Sequence, residues 1–295
     1  MATAGRIAAL SALVSSLLLT VAAVCGRGTA QADAWLPRYD LRESAARAVA
    51  LPPALAEISG LAVDGRGRLL AHQDESAVLY VLDPATGAIV RTIPIGTRTM
   101  LGDFEGIAVA GNRIFLVTSG GTLLEVIESA SGPATSRQTT TGLDKVCEVE
   151  GLAYDAARAA LLLPCKTTYG KERDKRLLVY AVPLATMTLE PRPRVDLAHA
   201  ALKAAGVDAG FHTAAIEVHP RSGSLFLVAG PESAIIEISA SGQVLAAREL
   251  SRDAHPQPEG VTFGPDLQLW IADERGRRGG SLTRYPLASR AGGAK

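Results

Sequence analysis

Residues 103–109 have the sequence DFEGIAV, and variants of this stretch recur along the chain. Each variant places a small residue, usually glycine after an acid, before a short apolar run. The five copies are EISGLAVD (57–64), DFEGIAV (103–109), EVEGLAYD (148–155), AAIEVH (214–219) and PEGVTFG (258–264). Their small residues are separated by 46, 45, 64 and 45 positions. A period near 45 with short strands is typical of a four-stranded propeller blade.

The first copy opens a unit of four short apolar runs separated by residues that favour turns. These runs are residues 60–63, 69–72, 78–82 and 89–93. The sequence therefore predicts an all-β fold, a single propeller of five four-stranded blades over residues 51–290. Residues 39–51, most of which belong to an N-terminal segment of residues 33–50, would supply the closing strand. Six blades are the alternative if this segment and the C-terminus build more. We expect residues 291–295 to be a flexible tail.

The 64-residue interval is the irregular one. It contains a charged loop at residues 171–176, which we expect to be a solvated hairpin tip. It also contains an Ala- and Leu-rich stretch at residues 197–206, which favours a short helix. An additional blade would need about 45 further residues rather than this insertion.

The N-terminus has the pattern of a secretory signal peptide over residues 1–32. Arg6 precedes a mostly apolar run at residues 7–24, and Ala30 and Ala32 are the small residues of a cleavage site before Asp33. This pattern predicts a periplasmic or secreted protein. An uncleaved anchor to the cytoplasmic membrane is the alternative, and it would be the chain's route to a membrane.

Removal of residues 1–32 would take Cys25 away and leave Cys147 and Cys165 as an even pair. The two flank a hairpin whose turn we place at residues 155–158. Partners across that turn sum to about 313, so the two cysteines, which sum to 312, would lie opposite each other. We predict a structural cross-strand disulfide, and two buried thiols are the alternative.

The balance of charge argues against some partners. The chain has 30 Lys and Arg against 30 Asp and Glu, so no net positive field would attract nucleic acid. We expect a monomer that binds a small polar ligand or an envelope protein.

Acidic residues recur at the start of the first strand of the units, where alternate positions lie on one face. In a propeller, equivalent strands surround one channel, so these side chains would meet at one mouth. Folding the first hairpin about residues 64–67 also sets Glu57 opposite Asp74. The residues expected at this mouth are Glu57, His72, Asp74, Glu105, Glu148, Glu150, His212, Glu259 and Asp273.

Three interpretations of this acidic ring stay open. The carboxylates could be structural, capping backbone N–H groups or pairing with Arg. They could instead bind a divalent cation, for which Ca²⁺ suits an oxygen donor set better than zinc. The third interpretation is catalysis, by a carboxylate base or a metal-activated water. The metal ligands would be Glu57, Asp74, Glu105, Glu150 and Glu259.

Other catalytic signatures are missing from the sequence, which has no G-x-S-x-G, H-E-x-x-H or P-loop motif. The five histidines are scattered. His72 and His212 are near the expected mouth and are candidate ligands or bases. His219 takes the turn position held by Asp64 and Asp155, so we expect it to be solvated.

The Glu-Gly segments, with the acidic pairs at residues 74–75 and 273–274, resemble the SdiA-regulated, YjiK-like proteins over residues 50–290. The resemblance implies a bacterial envelope protein with an NHL-like propeller. Two departures matter: Ala214 and Ala215 replace the polar residue and glycine in the fourth unit, and residues 118–119 and 164–165 lack an acidic pair. We therefore expect any metal to be held on one side of the mouth. An interaction role is favoured, with a metal-dependent lactonase, esterase or phytase-like hydrolase as the alternative.

Overall fold

A computed structural model of the protein describes residues 34–170, 175–207, 210–274 and 279–288. Five antiparallel sheets are arranged as a β-propeller, which confirms the prediction of five blades. The expected signal peptide at residues 1–32 and the tail at residues 291–295 lie outside the described residues. Within the described residues, no helix is long and apolar enough to cross a membrane.

The strands are numbered along the chain, and each blade begins with the strand nearest the channel. Blade 1 comprises β2 Ile58–Val63, β3 Leu69–Gln73, β4 Ser76–Leu82 and β5 Ile89–Pro94. Blade 2 comprises β6 Phe104–Ala110, β7 Arg113–Thr118, β8 Thr122–Ile127 and β9 Thr135–Thr140. Blade 3 comprises β10 Cys147–Val149, β11 Ala153–Asp155, β12 Ala160–Thr168, β13 Arg176–Pro183 and β14 Val195–Ala198.

The last two blades complete the circle. Blade 4 comprises β15 Thr213–Val218, β16 Leu225–Ala229, β17 Ala234–Ile238 and β18 Val244–Glu249. Blade 5 comprises β19 Pro258–Phe263, β20 Leu269–Asp273 and β21 Ser281–Tyr285, and its outer strand is β1 Arg47–Ala50. The N-terminal segment therefore closes the propeller as predicted, because β1 pairs with β21 and covers an edge that would otherwise be free.

Burial follows the sequence of each strand. The inner strand β19 is buried throughout, because it packs against the inner strands of both neighbouring blades. The outer strand β9 has the sequence TSRQTT and is largely exposed. Apolar inner strands and polar outer strands place the core between the blades and leave functional side chains at the ends of the channel.

The irregular third blade contains the predicted short helix and the disulfide. Helix α1 spans His199–Ala204. Cys147 and Cys165 are bonded with their Cα atoms 5.7 Å apart, which confirms the predicted pairing. The register differs from the prediction, because a bulge after Glu148 sets Cys165 opposite Val149. Of the expected hairpin tip at residues 171–176, residues 171–174 lie outside the described part of the chain.

The channel is nearly filled halfway between its two mouths. Side chains from all five inner strands converge there, and the remaining void is about 10 Å³. Glycine is required at this level: a Cβ on Gly106 would lie 2.5 Å from the backbone of Gly151. The apolar plug consists of Leu61, Ile107, Leu152, Ile216 and Val261. The void has room for about one water molecule, so the plug separates the two mouths for any larger solute.

The expectation that His219 is solvated is wrong. Its side chain is fully buried, stacked on Phe226 and 4.3 Å from the ring of Trp35 between centroids. The Tyr39 hydroxyl lies 3.2 Å from its Nε2 atom. Burial lowers the pKa of His219 to about 4, so it is a neutral core residue. The repeat contains no signal that the N-terminal segment packs over this turn and keeps water from His219.

Candidate functional site

One mouth of the channel is a pocket of about 160 Å³ whose lining is almost entirely polar. We call this pocket the acidic mouth. It is lined by six carboxylates, one ammonium group and two neutral polar side chains. These residues are Glu57, Asp74, Glu105, Glu150, Glu259 and Glu274, with Lys166, Ser59 and Gln257.

The repeat places these acids together because their strands are equivalent. Glu105, Glu150 and Glu259 precede the channel glycines of blades 2, 3 and 5, while Ser59 holds that position in blade 1 and Ala214 in blade 4. In blade 1, β2 and β3 pair Ile58 with Gln73. That register sets Glu57 opposite Asp74, as the sequence predicts.

Burial makes the ring of glutamates costly to ionise. It raises the pKa of Glu105 and of Glu150 to about 8, with repulsion between neighbouring carboxylates as a further cause. Burial also raises the pKa of Glu259 to about 7. Ser59 Oγ donates a 2.9 Å hydrogen bond to Glu105 Oε2, which offsets part of this cost. Near neutral pH, protons are therefore shared among these acids.

Lys166 is the one cation that lines the acidic mouth in the described part of the chain. Its Nζ atom forms an ion pair with Glu150 Oε1. Burial lowers the pKa of Lys166, but Glu150, Glu259 and Glu148 more than offset this, so the net shift is upward. One ammonium group cannot neutralise six carboxylates, and it lies on the Glu150 side.

The opposite side of the mouth is formed by Glu57, Asp74 and Glu274. Burial raises the pKa of Asp74, and the Glu57 carboxylate raises it further. Burial also raises the pKa of Glu274, as do Glu57 and Asp74. Gln257 Nε2 donates a 2.7 Å hydrogen bond to Glu274 Oε2. Among the described residues, this side has no ion pair of its own.

Five of the nine residues expected at the mouth line this pocket, and they are the five proposed metal ligands. The other four lie elsewhere. His72 is buried inside blade 1, and burial lowers its pKa to about 4. Asp273 is fully buried, with Oδ2 2.7 Å from His255 Nδ1. His212 Nδ1 lies 2.7 Å from Glu232 Oε1, and Glu148 stands beside the pocket without lining it.

A family model matches residues 31–276 and is described as SdiA-regulated. The chain belongs to the SdiA-regulated family. The match spans most of the propeller and confirms the resemblance seen in the Glu-Gly segments. Among curated proteins, no relative matches this sequence.

Several solved structures are similar to this SdiA-regulated protein at low sequence identity. Myxococcus xanthus glutaminyl cyclase is 17% identical, covers 82% of this chain and 94% of its own, and has a TM-score of 0.54. A streptogramin B lyase is 15% identical, with coverages of 77% and 65% and a TM-score of 0.42. A putative oxidoreductase (glucose dehydrogenase) from Thermus thermophilus is 11% identical, with coverages of 82% and 100% and a TM-score of 0.48. These likenesses concern the fold alone.

Four side chains of the acidic mouth in this family member were outside the set expected from the sequence. One of them, Glu274, belongs to the acidic pair at residues 273–274, and the others are Lys166, Ser59 and Gln257. Lys166 lies on a second strand, outside the aligned Glu-Gly columns. Ser59 replaces glutamate in the first unit, and Gln257 directly precedes the fifth copy. A signal for Ser59 was present, because it occupies the column of Glu105. The sequence contains no signal for Lys166, because its approach to Glu150 depends on the bulge in blade 3.

Proposed function

We propose that this protein binds a small cation at the acidic mouth, with Ca²⁺ as the first candidate. The observation that supports this proposal is the pocket itself, where six carboxylates meet one ammonium group. The raised pKa values express the free-energy cost of collecting that negative charge away from water. A bound cation would relieve the cost, and carboxylate and hydroxyl oxygens are the donors that Ca²⁺ prefers.

We place the cation on the side of Glu57, Asp74 and Glu274. Lys166 already compensates Glu150 on the other side, and its ammonium would repel a second cation. In the described residues, no three acidic, histidine or cysteine side chains are already grouped as metal ligands. Binding would therefore draw these carboxylates inward.

Thermal unfolding with and without CaCl₂ tests this proposal. A ligand that binds the folded state at a hundred times its Kd stabilises it by about 2.7 kcal/mol. We expect a saturable increase in Tm with CaCl₂ that EDTA reverses and that Glu57→Gln removes. Glu148→Gln is the matched control, because Glu148 carries the same charge beside the pocket without lining it. An unchanged Tm in the wild type would contradict the proposal.

Catalysis at the same mouth is the second candidate function. One observation favours it: the pKa of Glu105 and of Glu150 is raised to about 8, and a general base works best when its pKa is near the operating pH. A panel of esters and lactones, assayed with and without Ca²⁺, separates binding from hydrolysis. Turnover that Glu105→Gln abolishes would favour the enzyme, whereas cation binding without turnover would favour a binding protein.

We also propose that the protein is exported to the cell envelope. The signal-like pattern of residues 1–32 supports this, as does the Cys147–Cys165 disulfide, since such bonds persist in oxidising compartments. Intact mass of protein recovered from the periplasm should correspond to a chain beginning at Asp33. Full-length protein confined to the cytoplasm would contradict export, and full-length protein in the membrane fraction would favour the uncleaved anchor.

A further inference from the structure

A single glutamate distinguishes blade 4 at the mouth opposite the acidic one. Two residues after the channel glycine, the inner strands of blades 1, 2, 3 and 5 carry Ala62, Ala108, Ala153 and Thr262. Blade 4 carries Glu217 in that column. The fourth unit therefore lacks the acid of the acidic mouth, where Ala214 stands, and has one beyond the apolar plug instead.

Glu217 lies in a cavity of about 450 Å³. The cavity is formed by the turns that follow β2, β15 and β19, so it belongs to blades 1, 4 and 5. Its wall is about equally polar and apolar. Glu217 and Thr262 are polar residues of the inner strands, and Asp64 and Arg221 also line the cavity. Its apolar residues are Val63, Val218, Pro220, Phe263, Pro265 and Leu267.

The Glu217 carboxylate has hydrogen-bond donors but no counter-charge. Val218 N–H donates to Oε1 at 2.8 Å, and Thr262 Oγ1 donates to Oε2 at 3.2 Å. Within the described ranges, no cationic side chain forms an ion pair with it. Burial raises the pKa of Glu217 to about 7, against the lowering effect of these two hydrogen bonds.

The other charged residues that line this cavity do not supply Glu217 with a counter-charge. Asp64 also lines the cavity, but its carboxylate is paired with Arg68 at 2.7 Å and accepts two backbone N–H groups. Arg221 lines the rim and is exposed, without an ion pair to Glu217. Glu217 is thus the group in this cavity that a ligand's positive charge would stabilise most.

We propose that this cavity is a second binding site, which takes a small organic ammonium ion. The ammonium group would donate hydrogen bonds to the Glu217 carboxylate, and a compact apolar body would pack against Phe263 and Leu267. A bare metal ion suits this cavity poorly, because among the residues that the structure describes Glu217 is the one lining carboxylate not already paired with a cation, and such an ion takes several oxygen ligands. The apolar plug makes the site independent of the acidic mouth.

Benzylamine is a suitable probe, with benzyl alcohol and benzoate as neutral and anionic partners of nearly the same shape. Binding to the full mature chain can be followed by ligand-observed NMR and by isothermal titration calorimetry. We expect benzylamine to bind at least tenfold more tightly than benzyl alcohol. Glu217→Gln should weaken benzylamine at least tenfold, and Glu105→Gln, at the acidic mouth, should leave it unchanged.

Glu217→Ala provides a second variant, because alanine occupies this column in three other blades. It should fold and should lose benzylamine binding as well. Equal binding of benzylamine and benzyl alcohol would overturn the proposal, as would benzylamine binding that survives both variants. Preferential binding of benzoate would also overturn it and would point to Arg221 instead.

Discussion

The two mouths of the channel are built by the same five inner strands, yet they handle charge in different ways. At the acidic mouth, a glutamate recurs in three blades and six carboxylates share one pocket with Lys166. At the opposite mouth, a larger and partly apolar cavity holds two carboxylates, of which Asp64 is paired with Arg68 and Glu217 has no paired cation within the described chain. The first arrangement follows from repetition of one position, and the second from a departure in one unit.

This difference teaches how a propeller produces sites. Repetition places like charges close together, which favours a counter-ion with several ligands. A single deviating unit places one charge against the apolar residues of its neighbours, which favours an amphiphilic ligand. Because the plug separates the two compartments, each can be changed without the other.

At a fixed pH, the largest effect should come from breaking the Cys147–Cys165 disulfide, which closes a loop with a sequence separation of 18. Replacing both cysteines with serine should lower the free energy of unfolding by about 3 kcal/mol, because a loop of this size gains that much entropy in the unfolded chain. Urea unfolding measures the change. The variant should leave benzylamine binding intact and should change the Ca²⁺ response little, since β10 and Glu150 lie on the side of the acidic mouth opposite Glu57, Asp74 and Glu274. A loss of both would contradict the independence of the mouths.

The next effect concerns pH. Glu105, Glu150 and Glu259 have folded-state pKa values of about 7 to 8, above their unfolded values near 4.3, so the folded protein holds extra protons between these limits. The stability they contribute is complete below about pH 4 and is lost as the pH rises towards 8. The free energy of unfolding should decrease by up to about 1.4 kcal/mol per pH unit for each of these protons. Urea unfolding across this range measures it.

The two mouths should contribute differently to the pH dependence of the free energy of unfolding. Glu105→Gln should flatten it over pH 5–8, whereas Glu217→Gln should remove the smaller part that ends near pH 7. A slope that neither variant alters would show that the acidic mouth does not hold these protons.

A smaller effect is expected from Lys166→Met. The ammonium group of Lys166 competes with any cation in the acidic mouth, and its removal should tighten Ca²⁺ binding by about tenfold, or about 1.4 kcal/mol. Calorimetric titration with CaCl₂ measures this. Binding that weakens instead would mean that Lys166 organises the site by holding Glu150 in place.

The smallest effect is expected from Glu148→Gln. Glu148 carries a charge next to Glu150 but does not line the pocket, so Ca²⁺ affinity should change by less than about twofold, as for a screened surface charge. A tenfold loss would place Glu148 among the ligands and would favour the full set of acids expected from the sequence.

Much of the fold was predictable because the Glu-Gly copies carry both the period and the strand direction. Glu57 opposite Asp74 followed from folding the first hairpin, because the bulge between Ile58 and Gly60 shifts the register by a single residue. Glu105, Glu150 and Glu259 followed from their shared column. Lys166 was not predictable, because a bulge in blade 3 shifts the register that brings it to Glu150. The burial of His219 was not predictable, because Trp35 and Tyr39, which cover it, lie far from it in the sequence.

Glu217 shows what column-by-column comparison can still reveal. In the fourth copy, Ala-Ala-Ile-Glu-Val, Ala215 replaces the glycine of the repeat, and Glu217 follows two residues later. The signal was a carboxylate in a column of small residues. What the sequence lacked was the set of turns from blades 1 and 5 that enclose this side chain.

Calorimetric titration of CaCl₂ at pH 7.5, in two buffers of different ionisation enthalpy, tests the cation site at the acidic mouth most directly. We expect one bound ion per chain and release of a proton, because a cation lowers the pKa of the buried glutamates. Glu57→Gln should remove the binding and Glu217→Gln should preserve it. Absence of binding heat in both buffers, or binding that persists unchanged in Glu57→Gln, would contradict the account.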